Sequence, residues 1–266
     1  MNEPLQPVQV VRMSAGIGQP LDDRVIVEAP VALLYNGTSF AVMMATPDAL
    51  EDFALGFALS EGIVASPAEL RLVDVVRHDG GIALHAAIPQ ARFDALQQRR
   101  RGMEGRSGCG LCGVESLEAA LRPVPRVETA RTVSATAIRA ALDALADRQP
   151  LNALSGGVHA AGFAHAEGLL VREDVGRHNA LDKAVGAMAR HAPSLDPADG
   201  FLVVTSRASY EIVHKAATAG IGVVVAISAP TDLAIRTAQA AGVTLVAFAR
   251  GESLNVYSHA QRVVAR

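Results

Sequence analysis

The chain has two thiols, Cys109 and Cys112, and they stand together in Gly105-Arg106-Ser107-Gly108-Cys109-Gly110-Leu111-Cys112-Gly113. A C-x-x-C pair can ligate metal, exchange disulfides or carry sulfur. As a zinc site it is half a ligand set, because structural zinc takes four ligands. Among the eight histidines His159 and His165 stand as H-x5-H, but they begin 47 positions after Cys112, far beyond the roughly 12–15 residues that separate the two halves of a zinc finger. Gly108, Gly110 and Gly113 match G-x-G-x-x-G in letters, but that fingerprint works only straight after a strand. Here it follows QQRRRGMEGRS, a polar and basic run. The thiolate readings have firmer physics. Residues 114–121, VESLEAAL, have a helical pattern that sets Cys112 near a helix N-terminus, and Arg99, Arg100, Arg101 and Arg106 are close in sequence. A positive dipole end and nearby cations stabilise a thiolate. Such a thiolate can take up one sulfur atom as a persulfide, a reversible cap. The flanking glycines free the backbone to pass that sulfur on. Thiol–disulfide exchange is the competing use of the same pair, without the βαβ surroundings of a thioredoxin-like motif.

A second group of candidates follows three short Val-rich runs at residues 201–205, 222–227 and 243–248. In a parallel sheet, ligands bind beyond the carboxyl ends of the strands, where loops meet helix N-termini. Those ends read Thr205-Ser206-Arg207-Ala208-Ser209, Ser228-Ala229-Pro230-Thr231 and Arg250-Gly251-Glu252-Ser253. Hydroxyls, two arginines and a glycine at three successive ends suit a phosphate or pyrophosphate. Ser and Thr also cap helices, so no single position is decisive. Arg172-Glu173-Asp174-Val175-Gly176-Arg177-His178-Asn179 packs acids, bases and a histidine before a helix. It can orient a ligand or supply a general acid–base; equally, Asp174 can cap the helix and Arg177 can pair with an acid.

The elements that must position these residues fall into two groups. Residues 25–27, 31–35 and 39–44 have strand character, with Asn36-Gly37 as a hairpin turn. Thr46 is placed to cap a helix with Pro47 at its first position. Leu50, Phe53, Ala54 and Phe57 form its apolar stripe, and Gly62 stops it. A second hairpin is expected over residues 72–77 and 82–88, then a helix over 92–99, and RPVPRV at 122–127 reads as a linker. Beyond it, Val-rich strands alternate with alanine-rich helices at residues 210–219 and 232–241. Further helices are expected at 135–146 and 179–190, around strands at 158–164 and 169–173. Such alternation predicts a parallel sheet with right-handed crossovers. The fold expected is therefore α/β, with a mixed α+β N-terminal domain over 1–130 and a three-layer α/β/α domain over 131–266.

Composition bounds the function. Of 266 residues, 50% are hydrophobic and 19% charged, so the chain can bury a core and is not disordered. A net charge of −3 and an aromatic content of 4% without tryptophan give neither a basic field nor a stacking platform, so no nucleic-acid partner is expected. No apolar run approaches the roughly 20 residues that span a bilayer, so no membrane partner is expected. The start, MNEPLQPVQVVR, lacks the layout of a signal peptide, and the cytoplasm is the compartment expected.

Eight blocks in order carry a family resemblance: EAPVALLYNG, MMATPDALEDFALGFALSEGI, GCGLCG, GGVHAAGF, REDVGRHNALDKAVG, SYEIVHKAATAGI, SAPT and FARGESLNVY. The chain resembles the FdhD/NarQ family of formate dehydrogenase accessory sulfurtransferases over about Glu28 to Tyr257. The resemblance implies that sulfane sulfur moves from a cysteine desulfurase to the molybdenum bis(molybdopterin guanine dinucleotide) cofactor before that cofactor enters formate dehydrogenase. It implies Cys109 as the persulfide cysteine and Cys112 as the accessory thiol. It places cofactor binding on Phe248-Ala249-Arg250-Gly251-Glu252-Ser253, the last of the three strand ends, and it implies a homodimer. It also implies a second domain similar to the cytidine-deaminase fold. Val158-His159-Ala160-Ala161 matches the first half of a deaminase signature, but the glutamate is missing and no P-C-x-x-C follows. The expectation is that architecture without its zinc or its reaction. The alternatives are a non-enzymatic chaperone of the molybdenum cofactor and a thiol–disulfide redox protein.

Overall fold

The structure is a computed structural model and describes residues 3–101, 123–129, 131–191, 195–251 and 253–265. Cys109, Cys112 and Glu252 lie outside the described residues.

The chain opens with a two-stranded ribbon, β1 (Leu5–Ser14) against β2 (Ile17–Ile26), in antiparallel register from Leu5↔Ile26 to Ser14↔Ile17. Next come β3 (Ala29–Tyr35), β4 (Thr38–Ala45), α1 (Leu50–Ser60), β5 (Arg71–His78), β6 (Gly81–Ala87) and α2 (Gln90–Arg101). The four strands form one sheet in the order β4-β3-β6-β5. Alternate residues of β3, Val31, Leu33 and Tyr35, face a core shared with Phe53, Ala54 and Phe57 of α1, as the sequence stripe predicts.

Thr46 does not cap α1. The helix starts three residues later than predicted, behind Ala49 in a left-handed conformation with no side-chain cap. Thr46 is drawn away by a distant partner: its amide donates to Asp174 Oδ2 at 3.0 Å, and its hydroxyl accepts from the Val175 amide at 3.1 Å.

The second half holds β7 (Val133–Ser134), α3 (Ala135–Asp147), α4 (Pro150–Ser155), β8 (His159–His165), β9 (Gly168–Asp174) and α5 (Arg177–Arg190). It continues through β10 (Phe201–Val204), α6 (Tyr210–Thr218), β11 (Val223–Ala226), α7 (Asp232–Ala241), β12 (Thr244–Arg250), β13 (Ser253–Val256) and β14 (Val263–Val264). A six-stranded sheet runs β13-β12-β11-β10-β8-β9, and β14 pairs with β7. Successive side chains go to opposite faces. Leu202, Val204, Val224, Ala226, Leu245 and Ala247 therefore pack with α5, α6 and α7. Phe201, Val203, Val223, Val225 and Val246 pack with Ile138, Ala141 and Leu145 of α3 on the other face. Three layers result.

The sheet is mixed rather than parallel, which corrects the expectation. Only β10, β11 and β12 run parallel, while β8, β9 and β13 join antiparallel. Two residues separate β8 from β9, and two separate β12 from β13. A connection that short permits a hairpin and excludes a crossover. The predicted linker is also partly embedded, since Val127 is buried and its amide donates to the Ala241 carbonyl at 2.8 Å.

The two halves meet through helix α1 lying on helix α5. A Cβ added at Gly56 would stand 1.6 Å from the Asp182 carbonyl oxygen, and one at Gly186 would stand 1.9 Å from that of Asp52. Only glycine allows this backbone-to-backbone approach. Charges line the seam. Lys183, with no exposed surface, lies 2.6 Å from Asp174 Oδ2 and donates to the Thr46 carbonyl at 3.0 Å. Lys215 Nζ sits 2.9 Å from both Asp182 Oδ1 and Glu61 Oε1. Burial alone would lower the Lys215 pKa, but the Asp182 and Glu61 charges outweigh it and hold the ammonium above the ordinary lysine range. With one cation between two carboxylates, burial keeps Asp182 above the usual carboxylate range against the pull of Lys215.

Candidate functional site

The parallel strands β10, β11 and β12 stop together, and their hydrogen bonding continues past them. Ala208 bridges Pro230 in parallel, its amide donating to Ala229 O and its carbonyl accepting from the Thr231 amide. The Phe248 amide donates to Ser228 O at 3.2 Å. The loops at 205–209 and 228–231 and the end of β12 are thus one laced rim, so the structure brings together the three segments singled out by sequence. Thr231 spends its hydroxyl capping α7 through the Ala234 amide, the ordinary role weighed for it.

At the last strand end the β12–β13 register slips between Ala247 and Arg250. The bulge carries Phe248 at φ 51°, a left-handed conformation that is strained for a bulky side chain. Gly251 takes φ 53° at no such cost. Phe248 is 42% exposed while Ala249 is buried, so the bulge turns an aromatic ring outward at the rim. Arg250 is anchored by Nε donating to Ile227 O at 3.0 Å, and the Ser253 hydroxyl donates to Arg250 O at 3.3 Å. Phe248, Ala249, Arg250, Gly251 and Ser253 are therefore contiguous and oriented by β11. Bulges of this kind re-aim side chains next to binding sites.

Because β8 is antiparallel to β10, its first residue, His159, stands at the same edge. Thr205 Oγ1 accepts from the Ala160 amide at 2.9 Å and pins that start. The end of β9 and the start of α5 lie there too, bringing Arg177 and His178. His178 Nε2 is 2.7 Å from Glu211 Oε2, on the first turn of α6, and Arg177 reaches the same oxygen at 4.0 Å. The close imidazole holds the Glu211 carboxyl below its usual range, helped by the Arg177 and Lys215 charges and opposed by burial. Burial, then the charges of Arg177 and His178, push His159 below the ordinary imidazole range.

Asp174 does not cap α5; Gly176 occupies that position. The Asp174 carboxylate instead accepts from the Gly176 amide and the Asn179 side chain and faces Lys183. The His178–Glu211 pair was not foreseen. Its signal was available, since both residues open helices that follow strands ending at one edge.

Comparison with known proteins establishes the family and the fold. The FdhD/NarQ family model matches residues 26–264. The chain belongs to the FdhD/NarQ family. A relative named sulfur carrier protein FdhD, from Xanthomonas campestris pv. campestris strain B100, is 55% identical over 266 residues, covering 98% of this chain and 94% of the relative. A second of that name, from Bordetella petrii, is 51% identical over 97% of this chain and 93% of its own length. Among solved structures, a protein assigned as a formate dehydrogenase accessory protein from Desulfotalea psychrophila superposes with a TM-score of 0.74. It covers 98% of this chain and 99% of its own at 23% identity, which establishes the shared fold. The FdhD/NarQ match takes in GCGLCG, the laced rim and the His178–Glu211 edge, and it starts at the end of the β1–β2 ribbon. No helix among the described residues is long and apolar enough to cross a membrane.

Proposed function

We propose that this protein is a sulfurtransferase that carries sulfane sulfur as a persulfide on Cys109. The donor is a cysteine desulfurase, and the acceptor is the molybdenum bis(molybdopterin guanine dinucleotide) cofactor destined for formate dehydrogenase. The observation that carries this reading is the near-full-length similarity to proteins named sulfur carriers, with the C-x-x-C pair present in this chain. The laced rim supports it, because with a net charge of −3 an anionic dinucleotide needs local groups such as Arg207, Arg250 and the exposed ring of Phe248. Phe248–Ser253 would receive one guanine dinucleotide arm.

In the loading step the Cys109 thiolate attacks the outer sulfur of the donor's persulfide. One S–S bond breaks, another forms on Cys109, and the donor leaves as a thiolate. Releasing that sulfur as sulfide takes two electrons. Cys112 provides them by closing a disulfide on Cys109, and the freed sulfide passes to molybdenum. Residues 131–266 form the cofactor domain in this proposal, with deaminase-like layering and without the deaminase reaction. The β7–β14 pairing supports that boundary. Work in the cytoplasm and assembly as a homodimer complete the reading.

The test is mass spectrometry of the full chain after incubation with a cysteine desulfurase and cysteine. One added sulfur on Cys109 is expected, and Cys109→Ala should lose both the adduct and the activation of formate dehydrogenase while still binding GDP. Activation undiminished in Cys109→Ala would overturn the relay. Activation lost without any adduct on the wild-type chain would point to a cofactor chaperone. A reversible Cys109–Cys112 disulfide with no GDP binding would point to a redox protein.

A further inference from the structure

The Arg177 edge is a distinct place on the sheet. From β12 to β8 is three strand spacings, about 14 Å at ordinary sheet geometry. His159, Arg177, His178 and Glu211 converge there from β8, α5 and α6, with the exposed Arg207 on the adjoining loop. Glu211 is shared by His178 at 2.7 Å and Arg177 at 4.0 Å. Arg177 Nε and Ser209 Oγ make no hydrogen bond to any described residue, and both atoms are shielded from water. A shielded donor without an acceptor is unfavourable, and an arriving oxyanion supplies the missing acceptor.

The helix starts agree with the side chains. Both α5 and α6 begin at this edge behind Gly176 and Ser209, and neither has a side-chain cap. Ser134 and Thr231 cap α3 and α7 through their hydroxyls, while α1 and α4 start without a side-chain cap behind Ala49 and Gln149. Ser209 is the right residue type in the right position, yet its hydroxyl forms no such bond. Two helix starts and a guanidinium whose Nε has no partner among the described residues thus lie together at this edge.

We infer that Arg177, His178, His159 and Ser209 form a second phosphate-binding subsite, separate from Phe248–Ser253. It takes the phosphate or pyrophosphate group of a nucleotide. The inference rests on the reading that the client is a nucleotide-bearing molecule, and it extends that reading. A client with two pyrophosphates engages both places on the edge at once, and a mononucleotide engages one.

Calorimetric titration of the full chain with inorganic pyrophosphate and, separately, with GDP tests this. Wild type should bind both. Arg177→Gln and His178→Gln should each weaken pyrophosphate at least tenfold, while Arg250→Gln weakens GDP and leaves pyrophosphate nearly unchanged. Arg177 is partly exposed and its one ion pair is long, so that variant should fold, and circular dichroism checks it. Wild-type affinities in both Arg177→Gln and His178→Gln overturn the subsite; if Arg250→Gln still loses GDP, the nucleotide reading survives alone. Pyrophosphate binding that depends on Arg177, with no GDP binding, keeps the subsite and sinks the guanine nucleotide reading. No binding of either probe to wild type overturns both.

Discussion

Lys183 and Arg250 are cations in the same half of the molecule with opposite fates. Lys183 is wholly buried against Asp174 and the Thr46 carbonyl. Arg250 spends Nε on the Ile227 carbonyl and leaves the rest of an exposed guanidinium at the rim. The same contrast runs through their surroundings. Along the α1–α5 seam each buried charge meets an opposite charge supplied by the chain itself, because an unpaired ion there costs several kcal/mol. Along the carboxyl edge, arginines and helix starts are left incompletely matched, which a protein tolerates only where water or a ligand completes them. Matched charge marks the frame, and incompletely bonded donors mark the edge where the proposed client binds.

Breaking a seam pair should produce the largest effect. Lys183→Met strands the Asp174 carboxylate in the core and is expected to destabilise the fold by about 3–5 kcal/mol. Urea unfolding followed by circular dichroism measures it, and a loss below about 1 kcal/mol would abolish the distinction between seam and edge. Phe248→Gly should run the other way: releasing the strained φ stabilises by up to about 1 kcal/mol, less the entropic penalty of glycine. GDP affinity should fall in the same variant. A less stable protein with unchanged affinity would make Phe248 a packing residue rather than a rim residue.

The smallest effect concerns pH. Burial and the neighbouring charges hold His159 below the ordinary imidazole value of 6.5 in the folded chain, so in the window beneath 6.5 the unfolded chain holds more protons. Stability therefore falls as pH drops through that window and is fully regained above 6.5. His159→Gln should flatten that part of the profile. An NMR titration of wild type placing His159 at or above 6.5 would contradict the crowding by Arg177 and His178.

Much of this was legible in the sequence where local chemistry decides. The runs at 201–205, 222–227 and 243–248 announced buried strands because all but Thr205 and Thr244 are apolar or glycine. Asp232–Ala241 was bounded by a capping threonine and a left-handed glycine, and it folds with those bounds. The three strand ends were legible as one site because strand-end loops of neighbouring parallel strands must lie side by side. What escaped depends on partners far along the chain. Thr46 looked like a cap, but Asp174, 128 residues away, claims its amide. His178 could be set beside Glu211 only by knowing that the strands before their two helices end at one edge, which the mixed strand order hid. The β1–β2 ribbon was missed because Pro7, Pro20, Asp22 and Asp23 dilute the alternation that betrays a strand. The segment with Cys109 and Cys112 was legible only as chemistry.

The lacing of the rim has a thermodynamic consequence. Loops that close on a ligand ordinarily surrender conformational freedom, and that loss is subtracted from the affinity. Here Ala208, Pro230, Thr231, Ser228 and Phe248 already hold one another through main-chain hydrogen bonds. Little freedom remains for a ligand to remove. Docking of the proposed anionic client at this edge should therefore carry a small conformational-entropy penalty.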